Sequence, residues 1–348
     1  MEIVRFPFSA ILGQESMKIA LILNVIDPKI GGVLLTGQQG TGKSTVVRSL
    51  VDILPEIKIN EGCQFQCEVA EPQTDQNTWC EHCLATKGHH TIIKKPINLV
   101  NLPLGATEEM IIGTLDIQKI IKEGKRAIQP GLLAKAHRGI LYVDEINLLQ
   151  DHLVDILLDV AASGINIIER EGISLKHKSE FVLIGSMNPE EGDLRPQISD
   201  RLGLEVPIQA PTDPQIRAQI TQRVIEFNDN PQEFAAKFER QNEELRNRII
   251  LAKEMLNSIE IPDNLFELTA KLVLKAGLYS QRADITFIRC ARAHAAFMGR
   301  KTIIEQDLHQ SINLVFRHRL SRYQQVVPLE EIHSIFNLLV HKEQEIEK

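Results

Sequence analysis

Three features are scarce in this sequence of 348 residues: long apolar runs, positive charge and cysteine. Because a helix that crosses a bilayer needs roughly 20 consecutive apolar residues, the lack of such a run argues against a membrane-spanning protein. The formal net charge of -7 argues against a general affinity for nucleic acid or anionic membranes. The first residues also lack the charged and then apolar organisation of a secretory signal. We therefore expect a cytosolic protein, or a plastid stromal protein whose transit peptide has been removed.

Four of the five cysteines lie close together, between residues 63 and 83. In a reducing compartment, such a group indicates metal or redox chemistry before structural disulfides. The Cys-x3-Cys and Cys-x2-Cys spacings provide two chelating corners, as in tetrahedral zinc sites. A redox switch through Cys80 and Cys83, or an unligated cluster, is the alternative. The predicted ligands of a structural Zn²⁺ are Cys63, Cys67, Cys80 and Cys83, with His82, His89 and His90 as spare ligands.

Residues 32–45 read GVLLTGQQGTGKST, a short apolar run followed by the Gly-x-x-x-x-Gly-Lys-Ser pattern of a phosphate-binding loop. The run predicts a buried strand, and the periodic apolar residues after position 45 predict a helix. Glycines let the loop aim N–H groups at phosphate oxygens, while Lys43 reaches the β- and γ-phosphates and Ser44 ligates Mg²⁺. The alternative is a glycine-rich turn that carries Lys-Ser by chance. The predicted ATP-binding residues of this loop are Gly37, Gln38, Gln39, Gly40, Thr41, Gly42, Lys43, Ser44 and Thr45.

Two further apolar runs end in polar residues suited to phosphate chemistry. Residues 139–143 predict a buried parallel strand followed by Asp144, which we expect in the Mg²⁺ shell, and Glu145, which we expect to orient and polarise the attacking water. Residues 181–187 predict a second strand followed by Asn188. This amide could bind the γ-phosphate or the water, or it could cap the turn before Pro189.

A segment ahead of the first strand often covers the adenine in ATPases with a phosphate-binding loop. Ile11 and Gly13 are therefore candidates for the base pocket, with ordinary core packing as the alternative.

The pattern of elements predicts an α/β domain, with a parallel sheet flanked by helices, followed by an all-α domain. The α/β domain is expected over 1–210, with a four-cysteine loop at 61–90 and a hairpin over 165–183. Residues 211–244 are charged and weakly apolar and predict a linker with some helix. The all-α domain is expected over 245–325. Residues 326–348 predict a C-terminal helix that either binds a partner or packs on its own domain.

The order of these motifs resembles the AAA+ ATPases, and within them the I subunits of magnesium chelatase, the motor for inserting Mg²⁺ into protoporphyrin. The resemblance covers roughly residues 6–322. It is carried by LPLGAT (102–107), GTLD (113–116), QPGLLA (129–134), HRGILYVDEINLL (137–149), DVAASG (159–164), EREG (169–172) and MNPEEG (187–192). The four-cysteine pattern is not part of it, and Leu202 replaces a common Phe.

The resemblance implies roles that the residues alone only suggest. It makes Asn188 the sensor-1 residue, Arg201 an arginine finger for a neighbouring subunit's ATP, and Arg282 the sensor-2 arginine. A finger supplied in trans implies a ring, and we expect a hexamer. The broken stretch near 113–131 resembles the family's helix-2 insertion, and the hairpin near 165–183 its pre-sensor hairpin. The implied partners are a von Willebrand A adaptor and a large porphyrin-binding subunit.

Two other functions fit the same motor less well. A chaperone or remodelling ATPase of the same superclade, related to the MoxR proteins, would act with a von Willebrand A partner on another client. A DNA-remodelling AAA+ protein is disfavoured by the acidic balance and by the lack of a basic recognition element in the helical region.

Overall fold

The computed structural model describes residues 4–68, 80, 83, 91–115, 128–170, 173–192, 194–320 and 327–346. The chain divides into two compact units, 1–53 with 186–348, and 54–185. Several predictions lie outside the described residues. They are the spare ligands His82, His89 and His90, the middle of the helix-2 insertion (116–127) and the hairpin turn (171–172).

Short, fully buried apolar runs form three of the described strands, because a run of four to six buried residues has the length of a strand. The strands are β1 (Val33–Thr36), β2 (Ile57–Asn60), β3 (Ile92–Lys95), β4 (Leu99–Leu102), β5 (Gly113–Leu115), β6 (Ile128–Pro130), β7 (Ile140–Val143), β8 (Ile165–Arg170), β9 (Ile173–Lys178), β10 (Val182–Met187) and β11 (Leu204–Pro207).

Five of these strands form a parallel sheet in the order β11-β1-β10-β7-β4. Residues of β1, β7 and β10 are buried throughout, as expected when both faces of a parallel sheet are covered. Val33 pairs with Leu204, and Ile140 pairs with both Leu99 and Val182. The predicted α/β fold class is thereby confirmed.

The remaining six described strands form three antiparallel pairs. β8 and β9 form the predicted hairpin, with Ile165 opposite Lys178 and Arg170 opposite Ile173. β2 pairs with β3, and β5 pairs with β6. The strands of these last two pairs are separated in the sequence by residues 61–91 and 116–127.

The helices account for most of the remaining described residues. They are α1 (Glu15–Ile26), α2 (Lys43–Leu50), α3 (Glu108–Ile112), α4 (Leu132–Ala136), α5 (Asp151–Ser163), α6 (Pro196–Arg201), α7 (Pro214–Asp229), α8 (Pro231–Met255), α9 (Asp263–Lys275), α10 (Gln281–Phe297), α11 (Glu305–Val315), α12 (Arg317–Leu320) and α13 (Leu329–Ile346). None of the helices in the described part of the chain combines the length and the apolar character needed to cross a membrane.

The stretch predicted as a linker, 211–244, is largely helical. It contains α7 and the first part of α8, and α8 continues without a break through the predicted boundary at 244. No side chain of α7 is buried, which explains why the sequence shows no apolar periodicity there. The domain boundaries themselves stay a prediction.

The C-terminal helix packs within its own unit. α13 contacts α9 and α11, and its apolar stripe of Ile332, Phe336 and Leu339 is buried. Of the two interpretations of this helix, the structure therefore supports packing on its own domain.

Candidate functional site

The phosphate-binding loop lies between β1 and α2, as the motif predicts. Gly40 and Gly42 have φ values of +78° and +84°, and a Cβ on either would meet no atom within 4 Å. The backbone conformation, rather than lack of space, therefore favours glycine at these two positions. At Gly37, by contrast, a Cβ would collide with the carbonyl oxygen of Ile208.

The Lys43 side chain is folded back onto the loop. Only 9% of this lysine is exposed, and its ammonium group donates to the carbonyl oxygens of Gly37 and Gln38. The Thr41 hydroxyl donates to the same Gln38 carbonyl at 2.9 Å. Because Lys43 is also the first residue of α2, a cation and the positive end of a helix dipole stand together at this loop.

The turn after β10 lies against the loop. The Gly37 amide donates to the Met187 carbonyl at 3.0 Å. The side-chain amides of Gln38 and Gln39 donate to the carboxylates of Glu190 and Glu191, at 3.0 and 3.1 Å. These contacts hold the loop beside the segment that contains Asn188.

Asn188 is buried at the end of β10. Its side-chain oxygen accepts a hydrogen bond from the Glu190 amide at 3.3 Å and caps a short turn. This is the capping arrangement that the sequence left open as the alternative. The sensor role of Asn188 stays a prediction.

A cavity of about 360 Å³ adjoins the loop within the same unit. Its walls combine loop residues such as Thr41 and Thr45 with apolar side chains such as Ile11, Ile220 and Val224. Gly13 does not line this cavity, but it lies against Pro211, which does. An apolar space beside a phosphate-binding loop suits the base and ribose of a nucleotide.

In the other unit, β7 ends at the predicted acidic pair. Tyr142 is buried, and its hydroxyl donates to the Asp144 carboxylate at 2.8 Å. Glu145 has a φ of +55°, in the left-handed region that few non-glycine residues adopt. Such a conformation is frequent at functional sites, where the surrounding structure holds the backbone in place.

The two predicted arginines belong to the first unit. Arg201 is the last residue of α6, and Arg282 is near the start of α10. Arg282 pairs with Asp200 at 3.8 Å, while more than half of its side chain is exposed. The buried Arg319 donates to the carbonyl oxygens of Leu202 and Gly203, directly after Arg201.

The four clustered cysteines converge in the second unit. The sulfur atoms of Cys63, Cys67, Cys80 and Cys83 all lie within 4.8 Å of one another. The Sγ atoms of Cys63 and Cys80 are 3.7 Å apart, and none of these four cysteines forms a disulfide bond. The fifth cysteine, Cys290, is buried elsewhere and has its pKa raised to about 12 by burial.

Nitrogen donors surround the sulfur atoms. The Asn60 side chain donates to Cys83 Sγ at 3.3 Å, the Cys67 amide to Cys63 Sγ at 3.4 Å, and the Cys80 amide to Cys67 Sγ at 3.3 Å. Hydrogen bonds from the neighbouring cysteines lower the pKa of Cys63, whereas contacts with Cys63 and burial raise the pKa values of Cys67, Cys80 and Cys83. This donor set fits a thiophilic cation such as Zn²⁺.

Some contacting residues were not predicted from the sequence. Glu190 and Glu191 lie in a recognised motif, but only the structure places them on the phosphate-binding loop. Tyr142 belongs to an apolar run. The sequence could have indicated its role, because a tyrosine hydroxyl two residues before Asp144 is able to donate to that carboxylate. Gln66, which lies between Cys63 and Cys67 and donates to the carbonyls of Lys135 and His137, has no distinguishing sequence pattern.

A parallel sheet with a phosphate-binding loop after its first strand and a helical region after its last defines the AAA+ class of ATPase fold. The AAA lid domain model matches residues 267–335, within the helical region. The model for magnesium chelatase, subunit ChlI, matches residues 7–99 and 114–199. The chain belongs to the ChlI family of magnesium chelatase subunits.

Individual relatives agree with the family match. A magnesium-chelatase subunit ChlI homolog of Methanocaldococcus jannaschii is 52% identical over 319 residues, which are 91% of this chain and 86% of the relative. The chloroplastic ChlI subunit of Glycine max is 47% identical and aligns over 94% of this chain and 77% of its own. A solved complex of the BchI and BchD subunits of magnesium chelatase contains a chain 44% identical to this one. That similarity covers 94% of this chain and 99% of the other, with a TM-score of 0.55.

Proposed function

We propose that this chain hydrolyses ATP as the motor subunit of a magnesium chelatase, which inserts Mg²⁺ into protoporphyrin for chlorophyll-type biosynthesis. The observation that carries the proposal is the phosphate-binding loop of a ChlI-family chain, with the Lys43 ammonium on two loop carbonyls. In plants and algae the site of action would be the plastid stroma, in keeping with the chloroplastic name of the Glycine max relative.

The loop supplies the phosphate contacts. When ATP binds, Lys43 exchanges its carbonyl partners, Gly37 and Gln38, for the β- and γ-phosphates. The phosphates compensate this exchange because they are negatively charged acceptors for the ammonium group, whereas the carbonyl oxygens are neutral ones. Ser44 and Asp144 would hold the Mg²⁺ ion, which supplies charge neutralisation across the phosphates when bound.

Glu145 is proposed to polarise the attacking water. Parallel strands end at the same edge of a sheet, so residues that follow β1, β7 and β10 are suited to one ligand. On this basis Glu145, after β7, and Asn188, after β10, would orient the water at the γ-phosphate. Ile11 would contact the adenine and Gly13 would support that wall.

Two arginines complete the proposed machinery. Arg201 would reach the γ-phosphate held by the neighbouring subunit, and Arg282 the γ-phosphate of its own. A guanidinium there neutralises charge that grows in the transition state and contributes about 10³ to 10⁵ in rate. Because the finger acts in trans, the active form would be a ring, proposed to be a hexamer.

The ring is proposed to act with two other proteins. The BchI–BchD complex shows that a relative of this chain assembles with a second chelatase subunit. By analogy, a von Willebrand A adaptor would transmit the motion of this ring to a large porphyrin-binding subunit.

Subunit mixing tests the ring and the trans finger. Glu145→Gln should lower the ATPase rate about 10²- to 10⁴-fold while ATP still binds, because it removes a general base. Arg201→Ala should lower the rate about 10³- to 10⁵-fold. Mixed one to one, the two variants should regain activity, because about a quarter of randomly formed interfaces join an intact Glu145 to an intact Arg201.

A second mixture of variants is the control for activity that arises from subunit mixing alone. Glu145→Gln and Lys43→Ala place both defects in the ATP-holding half of the site, so their mixture should stay inactive. A mixture of Glu145→Gln and Arg201→Ala with no regained activity, in an assembled ring, would count against a finger in trans.

Reconstitution tests the client. The chain, its von Willebrand A adaptor and the large subunit are combined with protoporphyrin, Mg²⁺ and ATP, and the fluorescence of Mg-protoporphyrin is followed. ATP-dependent formation of this product is expected. ATPase activity stimulated by the adaptor, without product, would instead indicate a remodelling ATPase with another client.

We also propose that the four cysteines hold one structural Zn²⁺, bound by Cys63, Cys67, Cys80 and Cys83. A zinc ion with four protein ligands has no open position for substrate, so it would take no part in hydrolysis.

A further inference from the structure

We infer that the cysteine site is a metal-dependent brace, which fixes the β8–β9 hairpin and the junction between α4 and β7 within its own unit. The inference rests on the proposed zinc and goes beyond it, because it assigns the ion a specific mechanical role. Two side chains inside the Cys-x3-Cys corner, Phe65 and Gln66, carry the connection.

The spacing of the sulfur atoms suits a tetrahedral ion. With Zn–S bonds of about 2.3 Å, the sulfur–sulfur edge of a tetrahedron is about 3.8 Å. The 3.7 Å between Cys63 and Cys80 matches this edge, and it joins the two halves of the cluster. Three N–H donors point at the sulfur atoms, as outer contacts of thiolate sites do.

Phe65 connects the corner to the hairpin. It packs against the cysteine cluster on one side, and on the other its ring centroid lies 5.0 Å from that of His177 in β9. His177 is buried, and burial lowers its pKa, so its ring is neutral at physiological pH.

The hairpin holds His177 in one orientation. The Asn166 side chain in β8 donates to His177 Nε2 at 2.9 Å, which leaves the proton on Nδ1 for the Lys178 carbonyl, also at 2.9 Å. Asn166 donates as well to the Ile112 carbonyl at 2.8 Å, at the end of α3. A displacement of Phe65 therefore reaches both strands of the hairpin.

Gln66 connects the corner to the α4–β7 junction. Its side-chain amide donates to the carbonyls of Lys135 and His137, at 2.8 and 2.9 Å, at the C-terminal end of α4. Its side-chain oxygen accepts from Asn98 at 3.2 Å. β7 begins three residues after His137 and leads to Asp144 and Glu145.

The backbone of Gln66 needs an external constraint. Its φ of +52° lies in the left-handed region, which is unfavourable for a residue other than glycine. Cys67, the next residue, is a proposed ligand. A bound ion would keep this turn closed, and removal of the ion would release both Phe65 and Gln66.

The test measures metal content and local opening in the same protein. Protein purified without a polyhistidine tag should contain about one zinc per chain by elemental mass spectrometry. Hydrogen exchange is then followed with and without a zinc chelator. Exchange in 165–170, 173–178 and 133–140 should rise at least about tenfold on zinc removal, since exchange reports the local opening free energy.

Two variants separate the brace from general stability. Phe65→Ala removes no ligand, so it should keep its zinc while the hairpin already exchanges faster, and chelation should add little there. Cys290→Ser, which changes the buried cysteine outside the cluster, should behave as the wild type does in both metal content and chelator response.

Each contrary result identifies what fails. Protein without metal, or with a Cys80–Cys83 disulfide, would overturn the zinc and the brace but leave the ATPase proposal standing. Bound zinc whose removal leaves hairpin exchange unchanged would overturn the brace alone. A rise of equal size throughout 54–185 would also overturn it, because a brace acts locally.

Discussion

The phosphate-binding loop and the cysteine cluster each bring several polar groups together at one point, but they draw these groups from the chain in different ways. The loop draws its groups from nine consecutive residues, 37–45, and its glycines and Lys43 hold it in shape. The cluster draws its sulfur atoms from two segments, Cys63 with Cys67 and Cys80 with Cys83. Its described contacts include weak N–H to sulfur hydrogen bonds and the packing of Phe65.

The two sites are expected to differ in whether their geometry forms when the ligand is absent. A contiguous loop loses little chain entropy when it forms, because neighbouring residues fix its geometry. A cluster from separate segments must close the chain between them, and the ion supplies the free energy for this closure. The loop should therefore stay formed without nucleotide, whereas the cluster should depend on its metal.

The largest effect is expected at Lys43, whose ammonium group lies on the loop carbonyls of Gly37 and Gln38. Lys43→Ala should weaken ATP binding at least about 100-fold, because it removes charged hydrogen bonds that contribute about 1.5–3 kcal/mol each. Zinc content should be unchanged. Titration with a fluorescent ATP analogue, alongside metal analysis, measures both quantities.

The exposed Lys301 provides a matched control, since Lys301→Ala removes the same charge far from the loop in sequence. It should bind ATP as the wild type does. Retained ATP affinity in Lys43→Ala would mean that this loop is not the phosphate site.

A smaller effect is expected at Asn60, the buried side chain that donates to Cys83 Sγ. Asn60→Ala should weaken zinc binding about 10- to 100-fold, the usual cost of losing an outer contact of a metal site. Nucleotide affinity should stay the same. Competition with a chromogenic chelator measures the zinc affinity.

Asn101→Ala, at an exposed position of β4, is the matched control for Asn60. It should leave zinc affinity unchanged. Equal zinc affinity in Asn60→Ala and the wild type would show that the hydrogen bond does not tune the site.

The same contrast explains what could be predicted from the sequence. Three strands that precede recognised motifs, β1, β7 and β10, are buried apolar runs and were predicted. β11 was not predicted, because its apolar run is short and ends at Pro207. Proline argues against a strand unless the strand lies at the edge of a sheet, as β11 does. β2 and β3 pair across more than thirty intervening residues, a contact that no local pattern encodes.

The residues of the loop and of the cysteine cluster likewise differ in how far the sequence could predict them. The loop residues 37–45 could be named one by one, since each role follows from position in a contiguous motif. For the cysteines, the sequence predicted that the four sulfur atoms lie together, as they do, but it did not predict the contacts that Phe65 and Gln66 make from the same segment. Gln66 was missed because a left-handed glutamine between two ligands depends on tertiary contacts alone.

The smallest effect is expected at Gln39, which tethers the loop to Glu191 through an exposed hydrogen bond of 3.1 Å. Gln39→Ala should raise the KM for ATP only about two- to fivefold, with kcat unchanged, because such a bond contributes about 0.5–1 kcal/mol. Steady-state ATPase assays measure this, with Gln241→Ala at an exposed position of α8 as the control. The effect is small because the backbone and Lys43 already hold the loop. A loss of more than about tenfold would contradict this view, since it exceeds what one hydrogen bond contributes. The loop would then depend on these side-chain hydrogen bonds, as we propose that the cysteine cluster depends on zinc.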